Sequence, residues 1–293
     1  MQDPLNTQLL WSTQQLLCAP AQAAIRILDV RLGEDFANGH IPGAIHFSTY
    51  ALNTYDTDPA PLRSFTHMWA FLLSQRGLCP DDNIVVCGAS SDMNAARAFW
   101  FLEYLGYNNV HLLDGGIAAW RRAGGTVTHT AELPKPTACR YSVQPHLVAT
   151  HVDVRAAIKD PAVLIVDTRS RAEWLGDDAR AQRNGTVPTA VHQDWRHHLR
   201  ADGRLRPVQE LSALFAEIGA TRERPIIAFC NTGYRSAHAY LALRLIGHTA
   251  VRNYVGSWQE WGNRDDCPVT VPTLERRPLA HQHARADVPD RER

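Results

Sequence analysis

Apolar positions along the chain fall into short continuous runs, and between them lie longer stretches with helical spacing. The pattern is written twice. Ile27-Leu28-Asp29-Val30-Arg31 and Leu164-Ile165-Val166-Asp167-Thr168-Arg169 each read as a buried strand ending in Asp-x-Arg. Each is followed by an acidic-aromatic pattern, Glu34-Asp35-Phe36 or Glu173-Trp174. Then come Gly39-His40-Ile41-Pro42-Gly43-Ala44 and Gly185-Thr186-Val187-Pro188-Thr189-Ala190. The spacing predicts helices over 64–76 and 208–218, then strands over 84–86 and 226–229. A further helix in each copy stops at Leu105-Gly106-Tyr107 or Ile246-Gly247-His248, with glycine at the usual C-terminal capping place. In the second copy it is predicted over 237–246. Last come Val110 to Trp120 and Val251 to Trp261, in which Gly115 and Gly256 align without a gap.

Local matches in one order indicate duplication. Strands alternate with helices, so the expected class is α/β: two tandem units, each a mainly parallel sheet with helices on both faces and right-handed crossovers. The domains are expected at 8–127 and 146–272, with a proline-bearing linker over 128–145 and a polar tail over 273–293.

Composition narrows the function. The chain has 293 residues, 45% hydrophobic and 20% charged, and its 30 basic residues balance 30 acidic ones. That balance gives no support for nucleic acid or an anionic membrane as the main partner. No apolar run approaches the roughly 18 residues that cross a bilayer. The start, Met1-Gln2-Asp3-Pro4, lacks a basic segment followed by an apolar core, so the expected compartment is the cytoplasm. Six cysteines stand apart with no C-x-x-C pair, and His197-His198 are adjacent, a spacing that does not make them face one another on a helix. No metal site is expected.

The candidate chemistry sits where the strand over 226–229 runs into Cys230-Asn231-Thr232-Gly233-Tyr234-Arg235-Ser236. A cysteine between a strand's C-terminal end and a helix N-terminus lies where open α/β sheets bind ligands. The helix end and the Arg235 charge favour thiolate over thiol and suit an anionic donor. Backbone N–H groups from Asn231 to Ser236 are expected to cradle the sulfur, with Gly233 permitting the turn. A buried, inert cysteine is the ordinary reading of such a position. The glycine, arginine and helix start together set Cys230 apart. Counting back from Gly106 places Ala89, not Cys87, at the position of Cys230. The loop Gly88-Ala89-Ser90-Ser91-Asp92-Met93 carries an acid and no early arginine, so Cys87 is read as structural, and Cys18, Cys79, Cys139 and Cys267, which have no such loop, as structural or incidental.

These segments resemble the tandem-domain rhodaneses, the thiosulfate and 3-mercaptopyruvate sulfurtransferases. The likeness rests on Asp29-Val30-Arg31 through Ala44 and on Cys230 through Ser236, and extends over most of 8–272. It implies a catalytic second domain and a non-catalytic first domain that supplies one cleft wall. It also implies sulfur transfer through a persulfide on Cys230, by covalent, ping-pong catalysis without a cofactor. The donor is expected to bind at Arg235, Asn231, Thr232, Gly233, Tyr234 and Ser236. Arg169 matches the family's second substrate-binding arginine; its alternative is a salt bridge with Asp167 or Glu173. Trp195, Tyr234 and Trp258 are expected to line the cleft or to pack in the core. The acceptor is cyanide or a thiol, and the protein is expected to be a monomer.

Thiosulfate is the expected donor and 3-mercaptopyruvate the alternative. Mercaptopyruvate's leaving enolate needs a proton. Members specialised for it carry an Asp-His pair after the first-domain signature, whereas no histidine stands between His46 and His67 here. His46, His67 or His238 would have to supply the proton. Members that take thiosulfate often carry basic residues directly after the cysteine; here those places hold Asn231 and Thr232. Two remoter alternatives are a cysteine phosphatase or arsenate-reductase-like enzyme, and a non-catalytic rhodanese-like binding module. The first would place one residue more between cysteine and arginine than the four here. The second typically loses the cysteine.

Overall fold

The structure is a computed structural model that describes residues 7–20 and 24–273. The polar tail expected at 273–293 lies outside these but for Thr273. The first half runs β1 (Leu10–Trp11), α1 (Thr13–Leu17), β2 (Ile25–Asp29), α2 (Gly33–Ala37), β3 (Ile45–His46), α3 (Pro59–Ser74), β4 (Asn83–Cys87), α4 (Met93–Tyr104), β5 (Asn109–Leu113) and α5 (Gly116–Arg122). The second half repeats it as β6 (Val148–Ala149), α6 (His151–Ala157), β7 (Leu164–Asp167), α7 (Arg171–Leu175), β8 (Val191–His192), α8 (Val208–Glu217), β9 (Ile226–Phe229), α9 (Tyr234–Leu245), β10 (Val251–Tyr254) and α10 (Ser257–Trp261).

The duplication read from the sequence appears as one topology used twice. The strand orders are β1-β5-β4-β2-β3 and β6-β10-β9-β7-β8, with parallel pairing throughout. The central strands read as continuous apolar runs because both faces are covered. Successive side chains point to opposite faces. Ile84 and Val86 therefore enter the large core that both halves share, while Val85 and Cys87 enter a smaller outer core with Phe36, Ile41 and Trp120. The second half has its own outer core around Ile227, Phe229 and Trp261.

Two helices begin earlier than predicted. Helix α3 starts at Pro59, because proline suits the first helical position, where its missing N–H is no loss. Helix α9 starts at Tyr234, directly after Gly233, which is left-handed at φ 86°. That start places Arg235 in the first turn of α9. The halves meet where α4 packs on α9: Glu103 accepts from Tyr240 Oη at 2.6 Å and Arg244 Nη1 at 3.0 Å. The linker is tied down by a Cys79–Cys139 disulfide that closes 60 residues of chain. Among the described residues no helix is long and apolar enough to cross a membrane.

Candidate active site

Strand β9 ends at Phe229, and the next residue is Cys230. The Cys230 backbone is fixed on both sides: its N–H donates to Ser257 Oγ at 3.1 Å, and its carbonyl accepts from Trp258 N–H at 2.9 Å. The loop then folds back over the sulfur. Gly233 N–H donates to Cys230 Sγ at 3.1 Å, and Ser236 Oγ stands 3.6 Å from it. Ser236 is itself held, donating to Asn253 Oδ1 at 2.6 Å. Only glycine fits at 233. Besides the positive φ, a Cβ there would lie 2.8 Å from Arg97 Nη1 and 3.0 Å from the Val255 carbonyl oxygen.

Cys230 is 1% exposed. Burial pushes its thiol pKa up, but the Arg235 charge, the Ser236 hydroxyl and N–H, and the Thr232 N–H outweigh it. The net pKa lies below the ordinary thiol value. Backbone N–H groups of Thr232, Gly233 and Ser236 thus face the sulfur.

Arg235 has a partner that sequence reasoning gave to Arg169. Its two terminal nitrogens bind Glu173 at 2.6 and 2.8 Å. Burial raises the Glu173 pKa, and the Arg235 charge and hydrogen bonds overcome this, bringing the carboxyl down to about 2. Glu173 is also the N3 member of a capping box with Ser170 at the start of α7. The sequence run Ser170-x-x-Glu173 was the available signal for its position.

Arg169 lies in a closed setting away from the residues that line the cavity. It is 1% exposed, binds Asp167 at 2.6 Å and the Gly185 carbonyl at 2.7 Å, and lies 4.4 Å above the Trp258 ring. The salt bridge with Asp167 is formed, and the guanidinium ties β7 to the Gly185 turn through Nε and Nη2. Arg31 does the same in the first half, with Asp29 and Gly39.

The matching loop of the first copy is filled differently. In β2 and β4, Asp29 pairs with Cys87; in β7 and β9, Asp167 pairs with Phe229. Cys87 therefore matches Phe229, and Gly88 takes the place of Cys230. The count that pointed to Ala89 was one residue off, because the first loop is one residue longer before its helix. Asp92 fills that loop: its Oδ2 accepts from Ala89 N–H at 3.0 Å and Ser90 N–H at 3.2 Å. A Cβ on Gly88 would lie 2.8 Å from the same oxygen. Copy one has a carboxylate where copy two has a sulfur. Cys87 is fully buried, and burial with Asp29 and Asp92 raises its thiol pKa well above the ordinary value.

A cavity of about 420 Å3 opens at the seam between the halves. The second half supplies Asn231, Thr232, Tyr234 and Arg235; the first half supplies Tyr50, Asn53, Met93 and Asn94 among others. Gly233 and Ser236 are not lining residues; they address the sulfur instead. Tyr234 lines the cavity while its hydroxyl donates to the Thr49 carbonyl at 2.6 Å. Trp258 is 1% exposed core beneath Arg169, and Trp195 packs edge-on against His238, so neither lines the cavity. The histidines named as proton sources lie elsewhere. His238 is fully buried, bonded to the Ser91 carbonyl at 2.9 Å, and burial lowers its pKa to about 4. His46 bonds the Arg31 carbonyl at 3.0 Å, and His67 packs against Tyr141. Sequence reasoning missed Arg97 altogether. Its helix reads as ordinary core, and nothing local shows that it reaches the other half.

A duplicated parallel α/β fold, with a cysteine of lowered pKa at the seam and a carboxylate in the twin loop, defines the class: a two-domain α/β protein with an activated thiol. The family is then plain: a rhodanese-like domain model matches twice, over residues 12–123 and 150–264, and the chain belongs to that family. It is 33% identical over 251 residues to a putative thiosulfate sulfurtransferase of Saccharopolyspora erythraea, covering 81% of this chain and 86% of that one. It is 32% identical over 246 residues to the 3-mercaptopyruvate sulfurtransferase of Escherichia coli K12, covering 82% and 86%. The crystal structure of the Escherichia coli enzyme SseA superposes with a TM-score of 0.74 at 27% identity, covering 85% of this chain and 98% of that one. The chain is a sulfurtransferase of the tandem rhodanese type.

Proposed function

We propose that this sulfurtransferase takes the sulfane sulfur of thiosulfate onto Cys230 and passes it to cyanide or a thiol. The Cys230 thiolate attacks the outer sulfur, the sulfur–sulfur bond of thiosulfate breaks, and sulfite leaves with the electron pair. The persulfide then bears a negative terminal sulfur, which the Gly233 and Ser236 N–H groups are placed to stabilise. Attack by the acceptor on that terminal sulfur returns the thiolate.

One observation carries the donor choice. Among the described residues lining the cavity there is no histidine and no carboxylic acid; its hydroxyl groups are those of Ser48, Tyr50, Thr232 and Tyr234, weak acids all, and that of Tyr234 is committed to the Thr49 carbonyl. Sulfite needs no proton to leave; the enolate of mercaptopyruvate does. Both walls of the cavity come from one chain, which supports a monomer. Measuring kcat/KM with both donors tests the reading. Thiosulfate is expected to be the better donor. A tenfold or so advantage for mercaptopyruvate, about 1.4 kcal/mol in the barrier, would overturn the donor assignment and leave sulfur transfer intact.

A further inference from the structure

Arg97 belongs to the non-catalytic half, yet its side chain ends at the catalytic loop. It projects from α4, is 0% exposed, and donates through Nη1 to the Thr232 carbonyl at 2.9 Å and through Nη2 to the Leu52 carbonyl at 2.8 Å. The guanidinium lies 4.0 Å from the centroid of the Tyr234 ring. Among the described residues no carboxylate pairs with it, and its Nε is buried without a hydrogen-bond partner. A buried cation is normally paired, because taking a charge out of water costs several kcal/mol. Arg31, Arg169, Arg235 and Arg244 each have their acid.

The atom that receives Nη1 explains the exception. The Thr232 carbonyl and the Gly233 N–H are the two ends of one peptide group. Arg97 donates to one end, and the other end donates to Cys230 Sγ at 3.1 Å. We propose that Arg97 is a positioning residue for the nucleophile: it orients and polarises the Thr232–Gly233 peptide, so that the first domain holds the Cys230 thiolate and its persulfide ready in the second. This rests on Cys230 being the nucleophile. Hydrogen bonds in a chain strengthen one another, by roughly 10–30% per bond. The positive charge also faces the negative sulfur through that single peptide. Burial lowers the Arg97 pKa, while Tyr234 and Cys230 act on it in the opposite direction. A rigid fork suits the task, since it fixes two carbonyls at once. The same Arg97 contact crowds position 233, so the glycine and the arginine form one device.

A merely adhesive role, tying the Leu52 segment to the loop, would alter stability and donor affinity but not the ionisation of the sulfur. The decisive readout is therefore the pH profile of iodoacetamide alkylation, taken without donor and read at the Cys230 peptide by mass. In Arg97→Met the midpoint should rise by about one pH unit, making alkylation about tenfold slower below it. Arg97→Lys keeps a charge but cannot reach both carbonyls, and its midpoint should fall between the two. A folded Arg97→Met protein with the wild-type midpoint would overturn the proposal. If Arg97→Met does not fold, Arg97→Lys decides, and a profile coincident with wild type overturns it. Assigning the profile to Cys230 is checked separately with Cys230→Ser. If sulfur transfer survives in that variant, the nucleophile assignment fails, and the Arg97 proposal with it. An unchanged midpoint in the Arg97 variants sinks the Arg97 proposal alone.

Discussion

Replacing Glu173 by Gln should make the protein less stable and its nucleophile more acidic at once. Glu173 is 2% exposed, and its carboxyl is drawn from 4.5 to about 2, chiefly against burial and by Arg235. At 1.36 kcal/mol per unit, this shift is worth up to about 3 kcal/mol of folding stability at neutral pH. Gln keeps the size and can still accept from Ser170 N–H, so the loss is of charge rather than shape. The sign follows from the depressed pKa. The contribution is complete above 4.5 and is lost as pH falls through about 2, so urea midpoints of wild type and variant should converge in that window. Arg235 loses its fixed carboxylate and acts on Cys230 unopposed, so the alkylation midpoint of Cys230 should move down. A variant that unfolds in the same urea as wild type at pH 7, or whose Cys230 midpoint moves up, would refute the electrostatic reasoning.

Arg235→Ala should do the reverse to the sulfur, raising the Cys230 alkylation midpoint. It should also destabilise by about 3–5 kcal/mol, because it strands a buried carboxylate; denaturant titration and alkylation read the two effects separately. Cys79→Ala with Cys139→Ala, or reduction of the bond, should cost about 4 kcal/mol by opening a closed loop of 60 residues, measured by urea unfolding with and without reductant. Fully buried His238 stays neutral in the fold down to about 4, whereas the unfolded chain binds its proton near 6.5. Its contribution is therefore present above 6.5 and lost as pH falls through about 4, up to about 3 kcal/mol. His238→Gln should flatten that part of the stability profile, which lies above the Glu173 window.

The fold was largely legible because its information is local and repeated. Asp29-Val30-Arg31 and Asp167-Thr168-Arg169 occupy matching strand ends, and both sheets share one strand order. The Cys230 loop was legible for the same reason: strand, cysteine, glycine and helix start are contiguous. What failed was pairing across distance. Nothing in the spacing says that Glu173 binds Arg235, 62 residues on, rather than Arg169, which turns back to Asp167 two residues away. Arg97 reaches Thr232 across 135 residues, and its neighbours in α4 show only an apolar helix. Cys79 and Cys139 gave no pattern, because their meeting depends on how the linker runs along the first domain. The offset between Ala89 and Gly88 arose from counting back along a helix, where one extra loop residue is invisible; strand register against Asp29 resolves it.

The central claim is that Cys230 alone carries the sulfur. Intact-protein mass after incubation with thiosulfate and removal of the donor tests it most directly. Wild type and Cys87→Ser should each gain one sulfur atom, located on the Cys230 peptide and discharged by cyanide, and Cys230→Ser should gain none. A sulfur adduct that persists in Cys230→Ser, or disappears in a folded Cys87→Ser protein, would contradict the account.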